Sequence, residues 1–369
     1  MRSLGLVLAA CATLGAAPPR LQQTIVTRAL DSPVSMAVAP DGRVFICEQA
    51  GRVRVVRAGR LLPKSFYEVP TTAVQEEGLL SVAFDPDFRR TGWVYLLYTH
   101  IDSTRHERLV RVTASGDTAI AGCDTVLFDL DPHLDRTHVG GALRFGQDGM
   151  LYVGTGENGF GVLSQDLHST HGKLLRLRRD GSIPEDNPWF TVATGRHRAI
   201  YARGLRNAFS MDIQRRTGRI LVNDVGADST EEVNDMVAGG NYGWPIREGA
   251  LPAEGVLPPL HQYSHHQGCA IAGGVFYAPR RPRLPAKWVG SYLFADYCSG
   301  AIRSLDPAAP TRSELVLRTV IPGPVDLRVA ADGGLWYLAR GSTDATGGAH
   351  SSVGALVHVT RPAASAAGR

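Results

Sequence analysis

The sequence predicts an all-β chain folded as one six-bladed β-propeller, and three observations carry that expectation. A unit of apolar strand, turn, second apolar strand and third strand recurs six times, with second strands starting near residues 44, 94, 151, 220, 292 and 335. A strand-only repeat of this length is the pattern of propeller blades. The 41 glycines and 22 prolines are spread along the 369 residues, as frequent turns between short strands require. No long stretch shows helical periodicity.

Taken in order, Met1 to Ala17 has the build of an export signal, with Arg2 as its charge and Leu4 to Ala10 as its apolar core. Leu8-Ala9-Ala10-Cys11 also fits a bacterial lipobox with a lipid anchor at Cys11; a plain signal cleaved near Ala17 is the alternative. Residues 1–20 are therefore read as a signal, and the protein as exported: periplasmic or secreted, and membrane-anchored in the lipoprotein case. The propeller spans 24–361, and the Ala- and Ser-rich stretch 362–369 reads as a disordered tail. Thr24 to Leu30 precedes the first unit and is free to close the ring by joining the last blade.

The first unit is Val34–Val38, the turn Pro40-Asp41-Gly42, Val44–Cys47 and Val53–Val56. The second is Leu79–Phe84, Trp93–Tyr98 and Leu109–Val112. The third is Ala142–Phe145, the turn Gln147-Asp148-Gly149, Met150–Val153 and Lys173–Leu177. The fourth is Phe209–Ile213, Arg219–Val222 and Glu231–Met236; the fifth is Ile271–Tyr277, Ser291–Ala295 and Ala301–Leu305. The sixth is Val325–Val329, the turn Ala331-Asp332-Gly333, Leu335–Leu338 and Ala355–Val359.

In a propeller the first strand of each blade lines the central channel, so the residues just before those strands converge at one mouth. Here they are Asp31 to Pro33, Glu76-Glu77-Gly78, Thr137-His138, Arg206-Asn207, Gly268-Cys269 and Pro324. The hairpin of the third unit predicts that His138 and Glu157, at its two outer ends, face each other there. A carboxylate beside an imidazole fixes its tautomer and suits it to general-base work; a structural histidine tying loops together is the plainer alternative.

Other signals are weaker or exclude functions. Gly154 to Gly159 matches GxGxxG after a strand, but no helix follows, so a dinucleotide site is not expected. No GxSxG is present. The net charge of +4 is scattered without a basic run, which speaks against nucleic acid. His168, His171, His261, His265 and His266 have no metal-binding frame and read as solvated surface. Asn223 to Glu232 is an oxygen-rich loop suited to a hard cation such as calcium, or else a solvated turn. Cys269 and Cys298 are the better candidates for a disulfide; Cys47, in VFICEQ, reads as a buried strand residue.

Four segments together resemble the glucose/sorbosone dehydrogenase family: Glu76–Phe88 (EEGLLSVAFDPDF), His138–Gly159, Ile200–Gly249 and Gly290–Ile302. They follow the family order over nearly the whole chain after the signal. The resemblance implies a six-bladed propeller that uses pyrroloquinoline quinone (PQQ) and calcium to oxidise an aldose sugar at C1 to its lactone. Electrons would then pass to an external acceptor. It also implies an alternative, because hedgehog-interacting-type propellers in the family have no known redox role: a non-catalytic, calcium-stabilised propeller that binds carbohydrate or a protein partner.

Residue by residue, His138 matches the catalytic base, and Glu157 stands where the family usually has the Asp that orients it. Arg206 and Asn207 match the pair that holds the quinone oxygens, with Arg206 also stabilising charge on the reduced cofactor. Gly226 and Ala227 match two backbone calcium ligands, Glu231 an acidic cofactor contact, and Glu232 with Tyr242 the ligands of a second, structural calcium. The chain departs from the family in three places. Glu76 replaces a Gln at a cofactor contact, Cys298 stands at the position of a fifth-blade lysine, and Gly323-Pro324-Val325 stands where arginines are usual. Arg328 and Arg340 are the arginines close enough in sequence to substitute. The resemblance to the branch of the family with FADYCSG-type sequences implies a Cys269–Cys298 bridge that staples the fifth blade.

Overall fold

Each blade begins with the hairpin that the alternating apolar runs demand. In the third blade Gly140–Phe145 pairs antiparallel with Leu151–Thr155, Leu143 opposite Val153. The computed structural model describes residues 20–341 and 353–362. The expected export signal with Cys11, apart from Arg20, and the tail after Pro362 lie outside the described residues. Six antiparallel sheets follow one another. Their innermost strands are Pro33–Val38, Leu79–Phe84, Gly140–Phe145, Ala208–Ile213, Ile271–Phe276 and Pro324–Val329.

The fold is the predicted all-β six-bladed propeller, with one helical turn, Phe88–Thr91, as its only α-helix among the described residues. The sequence reading missed every blade's fourth strand except the one that closes the ring. Ile200–Arg203 and His261–Ser264 are examples. These edges are short and only half apolar, so alternation does not single them out. The ring closes as expected. Gln22–Asp31 pairs with Val353–Thr360, Ile25 opposite Val357, and the Tyr337 hydroxyl donates to Gln23 Oε1 at 2.9 Å. No helix among the described residues is long and apolar enough to cross a membrane.

The core is divided among the six blade interfaces. Trp288, Tyr277, Tyr337 and Leu293 fill the joint between blades five and six, and Phe45, Val53, Leu79 and Val94 the joint between one and two. Each side chain of this kind contributes roughly 1.5–3 kcal/mol when taken out of water. Rigid walls of this sort let the loops at the channel mouth be held from several blades at once.

One feature is common to all six blades. The register slips at the mouth end of every inner hairpin, between Pro33/Ser35, Leu79/Ser81, Gly140/Ala142, Ala208/Ser210, Ile271/Gly274 and Pro324/Asp326. Bulges bend a strand and re-aim its neighbours. Here they turn the chain over the channel just where the candidate residues stand. The Cys269–Cys298 bridge forms at this end of the fifth blade, while Cys47, fully buried, and Cys123 remain free thiols.

Candidate functional site

His138 occupies a left-handed backbone conformation, φ +50°, which is uncommon for any residue but glycine and needs support from its surroundings. Asn158 supplies it. Its Oδ1 accepts from the Leu134 and Asp135 amides, its Nδ2 donates to the Asp135 and Thr137 carbonyls, and its own amide donates to the His138 carbonyl at 3.1 Å. Gly156 is required beside it, because a Cβ there would lie 1.9 Å from the His138 oxygen. The two ends of the hairpin are thus locked together, as its sequence predicts.

The His138 Nδ1 hydrogen-bonds the Glu157 carboxylate. A carboxylate only accepts, so Nδ1 carries a proton, and in the neutral imidazole Nε2 is the nitrogen left with its lone pair. The His138 side chain keeps 22% of its surface exposed while that of Glu157 keeps 4%. The imidazole therefore reaches the mouth and the carboxylate behind it is dry. Glu157 Oε2 is buried without a hydrogen-bond partner among the described residues.

Arg206 and Asn207 arrive from the fourth blade. Both amides donate to the Asp224 carboxylate, that of Asn207 at 2.6 Å, and the Arg206 carbonyl accepts from the Glu157 amide at 2.8 Å. Asn207 Oδ1 accepts from the Gly140 amide at 3.0 Å, and its Nδ2 donates to Glu76 Oε2 at 3.2 Å. Glu76, His138, Glu157, Arg206 and Asn207 therefore stand in one connected group drawn from three blades. Asp224, which sequence reasoning saw only as part of a loop, anchors it. Burial, together with nearby Glu232, pushes its carboxyl up to about 7.

The Arg206 Nη1 donates to the Val225 and Gly226 carbonyls at 3.0 and 2.7 Å, and its guanidinium lies 5.5 Å from the centre of the Trp244 ring. Its Nε is buried without a partner among the described residues. The loop Asn223 to Glu232 is wrapped around an anion. Glu248 Oε1 accepts from the amides of Ala227, Ser229 and Thr230 at 2.8–3.2 Å. That holds its carboxyl below its usual range against the burial that raises it.

The remaining sequence candidates lie farther out. Glu231 is wholly buried. Its Oε1 accepts from His265 at 2.8 Å, and its Oε2 from the amides of Ile271 at 2.8 Å and Gly226 at 3.3 Å. Glu232 accepts from the Gly249 amide and the Asn234 side chain, and burial raises its carboxyl. The Tyr242 hydroxyl is engaged by the Asp235 carbonyl and the Val237 amide. Among the described residues no group of three or more His, Cys, Asp or Glu is arranged to hold a metal ion.

Two readings of single residues change. His168 and His266 are exposed, but His171 and His261 are buried and His265 is bound to Glu231, so these histidines are not all solvated surface. Isolated histidines carry no periodicity from which burial follows. A buried cluster also went unseen. His133 Nδ1 lies 3.2 Å from Glu77 Oε1, and Nε2 lies 2.6 Å from Glu107 Oε1, in ion-pair contact though off the line of a good hydrogen bond. Burial opposes a charge on His133, but the two carboxylates outweigh it and push the imidazole up to about 9. Glu77, next to Glu76, was the available signal. The cluster ties the loop that carries His138 to the second blade.

Of the two arginines named as substitutes, Arg328 is used inside the channel. It pairs with Asp326 at 2.7 Å and donates to the Met36 carbonyl at 3.0 Å. Arg340 emerges at the mouth. A surface hollow of about 460 Å³ lies at the opposite, turn-bearing end, among residues such as Asp41, Arg43 and Arg89, and holds none of the site residues.

Residues 30–346 match the profile of a family described as Glucose / Sorbosone dehydrogenase. The chain is 30% identical over 251 residues to Aldose sugar dehydrogenase YliI of Escherichia coli, covering 67% of each chain. It is 28% identical over 317 residues to the hedgehog-interacting protein of Mus musculus, covering 73% of this chain and 42% of that protein. The solved PQQ-bound aldose sugar dehydrogenase of Streptomyces coelicolor superposes with a TM-score of 0.75 at 28% identity, over 93% of this chain and 99% of that one.

Proposed function

The chain belongs to the glucose/sorbosone dehydrogenase family, and from that premise we propose that it oxidises an aldose at C1 to the lactone with PQQ and calcium. One observation carries the reading: an imidazole with Nδ1 held by a buried glutamate stands beside an Arg-Asn pair at the channel mouth. Held there, PQQ would supply the hydride acceptor for C1 and the route for the electrons to an external acceptor.

The residues present suit that group. Arg206 brings an unpartnered buried N–H and a guanidinium over Trp244, and Asn207 brings a fixed amide. Both suit quinone oxygens. Gly226 and Ala227 would present their carbonyls to calcium, and the Gly226 oxygen already receives a cation in the form of Arg206.

The chemistry of the chain's own residues follows. His138 Nε2 takes the proton of the C1 hydroxyl as the C–H bond breaks. Glu157 keeps the accepting nitrogen turned toward the mouth and stabilises the imidazolium formed, without taking the proton itself. Asp224 fixes the backbone at Arg206 and Asn207, so the donors are set before substrate arrives. The export signal, with or without a lipid at Cys11, remains part of this proposal. It puts the enzyme where external sugars and acceptors are met.

A second reading has specific support: the family lysine position is occupied by a disulfide-bonded cysteine. In it the propeller is non-catalytic and binds carbohydrate or a protein partner. Titration of calcium-loaded protein with PQQ, followed by an aldose screen with an artificial acceptor, separates the two. Stoichiometric binding and sugar-dependent turnover are expected. No binding at tens of micromolar PQQ leaves the second reading in its place.

A further inference from the structure

PQQ carries three carboxylates, and burying them without cationic partners is costly. Blades five and six supply neither the lysine nor the arginines that the family places there, because Cys298 is in a disulfide and Gly323-Pro324-Val325 leads into the sixth inner strand. Arg340 stands one residue beyond the sixth blade's second strand, Leu335–Ala339, at the end of the hairpin that faces the mouth. Its amide donates to the Gly323 carbonyl at 2.7 Å, which fixes the backbone there.

The Arg340 guanidinium crosses to the first blade and donates to Gln49 Oε1. Gln49 Nε2 in turn donates to the carbonyls of Gln75 and Glu77, on either side of Glu76. Asp31, Glu76 and Tyr297 act on the guanidinium through space, and burial pulls its pKa below the ordinary value. The group is therefore a desolvated cation whose hydrogen-bonded partner among the described residues is a neutral amide. Glu76 links it to the other half of the site, because the same carboxylate that acts on Arg340 through space accepts from Asn207.

We propose that Arg340 is the residue with which this chain binds a carboxylate of PQQ, in place of the missing lysine and arginines. The assignment rests on the function proposed above. It explains how blades five and six hold an anion once Cys298 is tied to Cys269. Gln49 acts as a positioning residue that keeps the guanidinium over the mouth.

The test is equilibrium titration of the calcium-loaded protein with PQQ, read by tryptophan fluorescence and by the absorbance of the quinone. It compares the natural chain with Arg340→Ala, Arg340→Lys and, as a charge control, Arg90→Ala. Arg90 is exposed on the helical turn far from the mouth. Arg340→Ala is expected to weaken binding by roughly 30-fold or more, as loss of one partner of a desolvated charge pair does. Arg340→Lys should recover part of the loss, and Arg90→Ala should bind as the natural chain does.

Thermal unfolding gives a second readout. Arg340→Ala without PQQ should melt close to the natural chain but lose the upward shift in Tm that PQQ produces. Binding by Arg340→Ala within about twofold of the natural chain, or a large loss of Tm in its PQQ-free form, overturns the assignment and leaves the dehydrogenase reading standing. A natural chain that does not bind PQQ defeats both.

Discussion

Two halves of the channel mouth are built differently. On blades three and four, His138, Glu157, Arg206, Asn207 and Asp224 form a continuous hydrogen-bonded group, tied across the two blades by the Glu157 amide on the Arg206 carbonyl and the Gly140 amide on Asn207. On blades five and six the corresponding positions hold a disulfide, a Gly-Pro pair and one arginine that reaches across to the first blade. Proton abstraction demands a fixed imidazole–carboxylate geometry, so little can move there. Binding an anion demands only positive charge at the right depth, and several backbone positions can supply it. On the function proposed above, the first half would carry the chemistry and the second would carry affinity by a different arrangement of the same charge.

The largest expected effect falls on the first half. His138→Ala should lower turnover by about 10²–10⁴, measured as aldose-dependent reduction of an artificial acceptor, with little change in thermal stability. A loss confined to KM would move His138 from base to binding residue. Next, Cys269→Ala with Cys298→Ala opens a bridge that spans 29 residues. It should cost about 2–4 kcal/mol in denaturant unfolding and leave the His138 chemistry in place. A parallel collapse of turnover would mean that the two halves are not separable. Asp224→Ala should cost about 1–3 kcal/mol, because the Arg206 and Asn207 amides lose their acceptor. PQQ affinity should fall with it.

The last effect is gradual. His133 is charged in the folded protein up to about pH 9, whereas in an unfolded chain it loses its proton near pH 6.5. Its contribution is fully present below the unfolded value and fades as pH rises from about 6.5 through 9. Unfolding free energy should therefore decline across that window, and His133→Gln should flatten the decline. An unchanged slope in the variant would assign the loss to other groups.

Much of the fold was legible in the sequence because each inner hairpin announces itself: two apolar runs around a turn, as at Ala37–Phe45 or Arg144–Tyr152. The His138–Glu157 pair was legible for the same reason, since a hairpin brings its own ends together. What was not legible depends on contacts between blades. The Glu77–His133–Glu107 cluster and the Arg340–Gln49 bond join residues whose proximity no local pattern encodes. The mouth-end bulges have no sequence signature of their own. The loop Asn223 to Glu232 was read for its oxygens, and its Val225 and Gly226 carbonyls do receive Arg206, but the amides of Ala227, Ser229 and Thr230 also close around Glu248. Glu248 lies well outside the loop in sequence, which is why the direction of those amides could not be read from composition.

The central claim is that His138, oriented by Glu157, removes a proton from a sugar at a bound quinone. The most direct measurement mixes calcium- and PQQ-loaded protein with aldoses in the absence of any external acceptor and follows the quinone absorbance. The natural chain should lose the oxidised-quinone spectrum rapidly with at least one aldose. His138→Ala, loaded with PQQ to the same extent, should retain it for at least about a hundredfold longer. An unchanged spectrum with every aldose, or equal rates in the two proteins, would contradict the account.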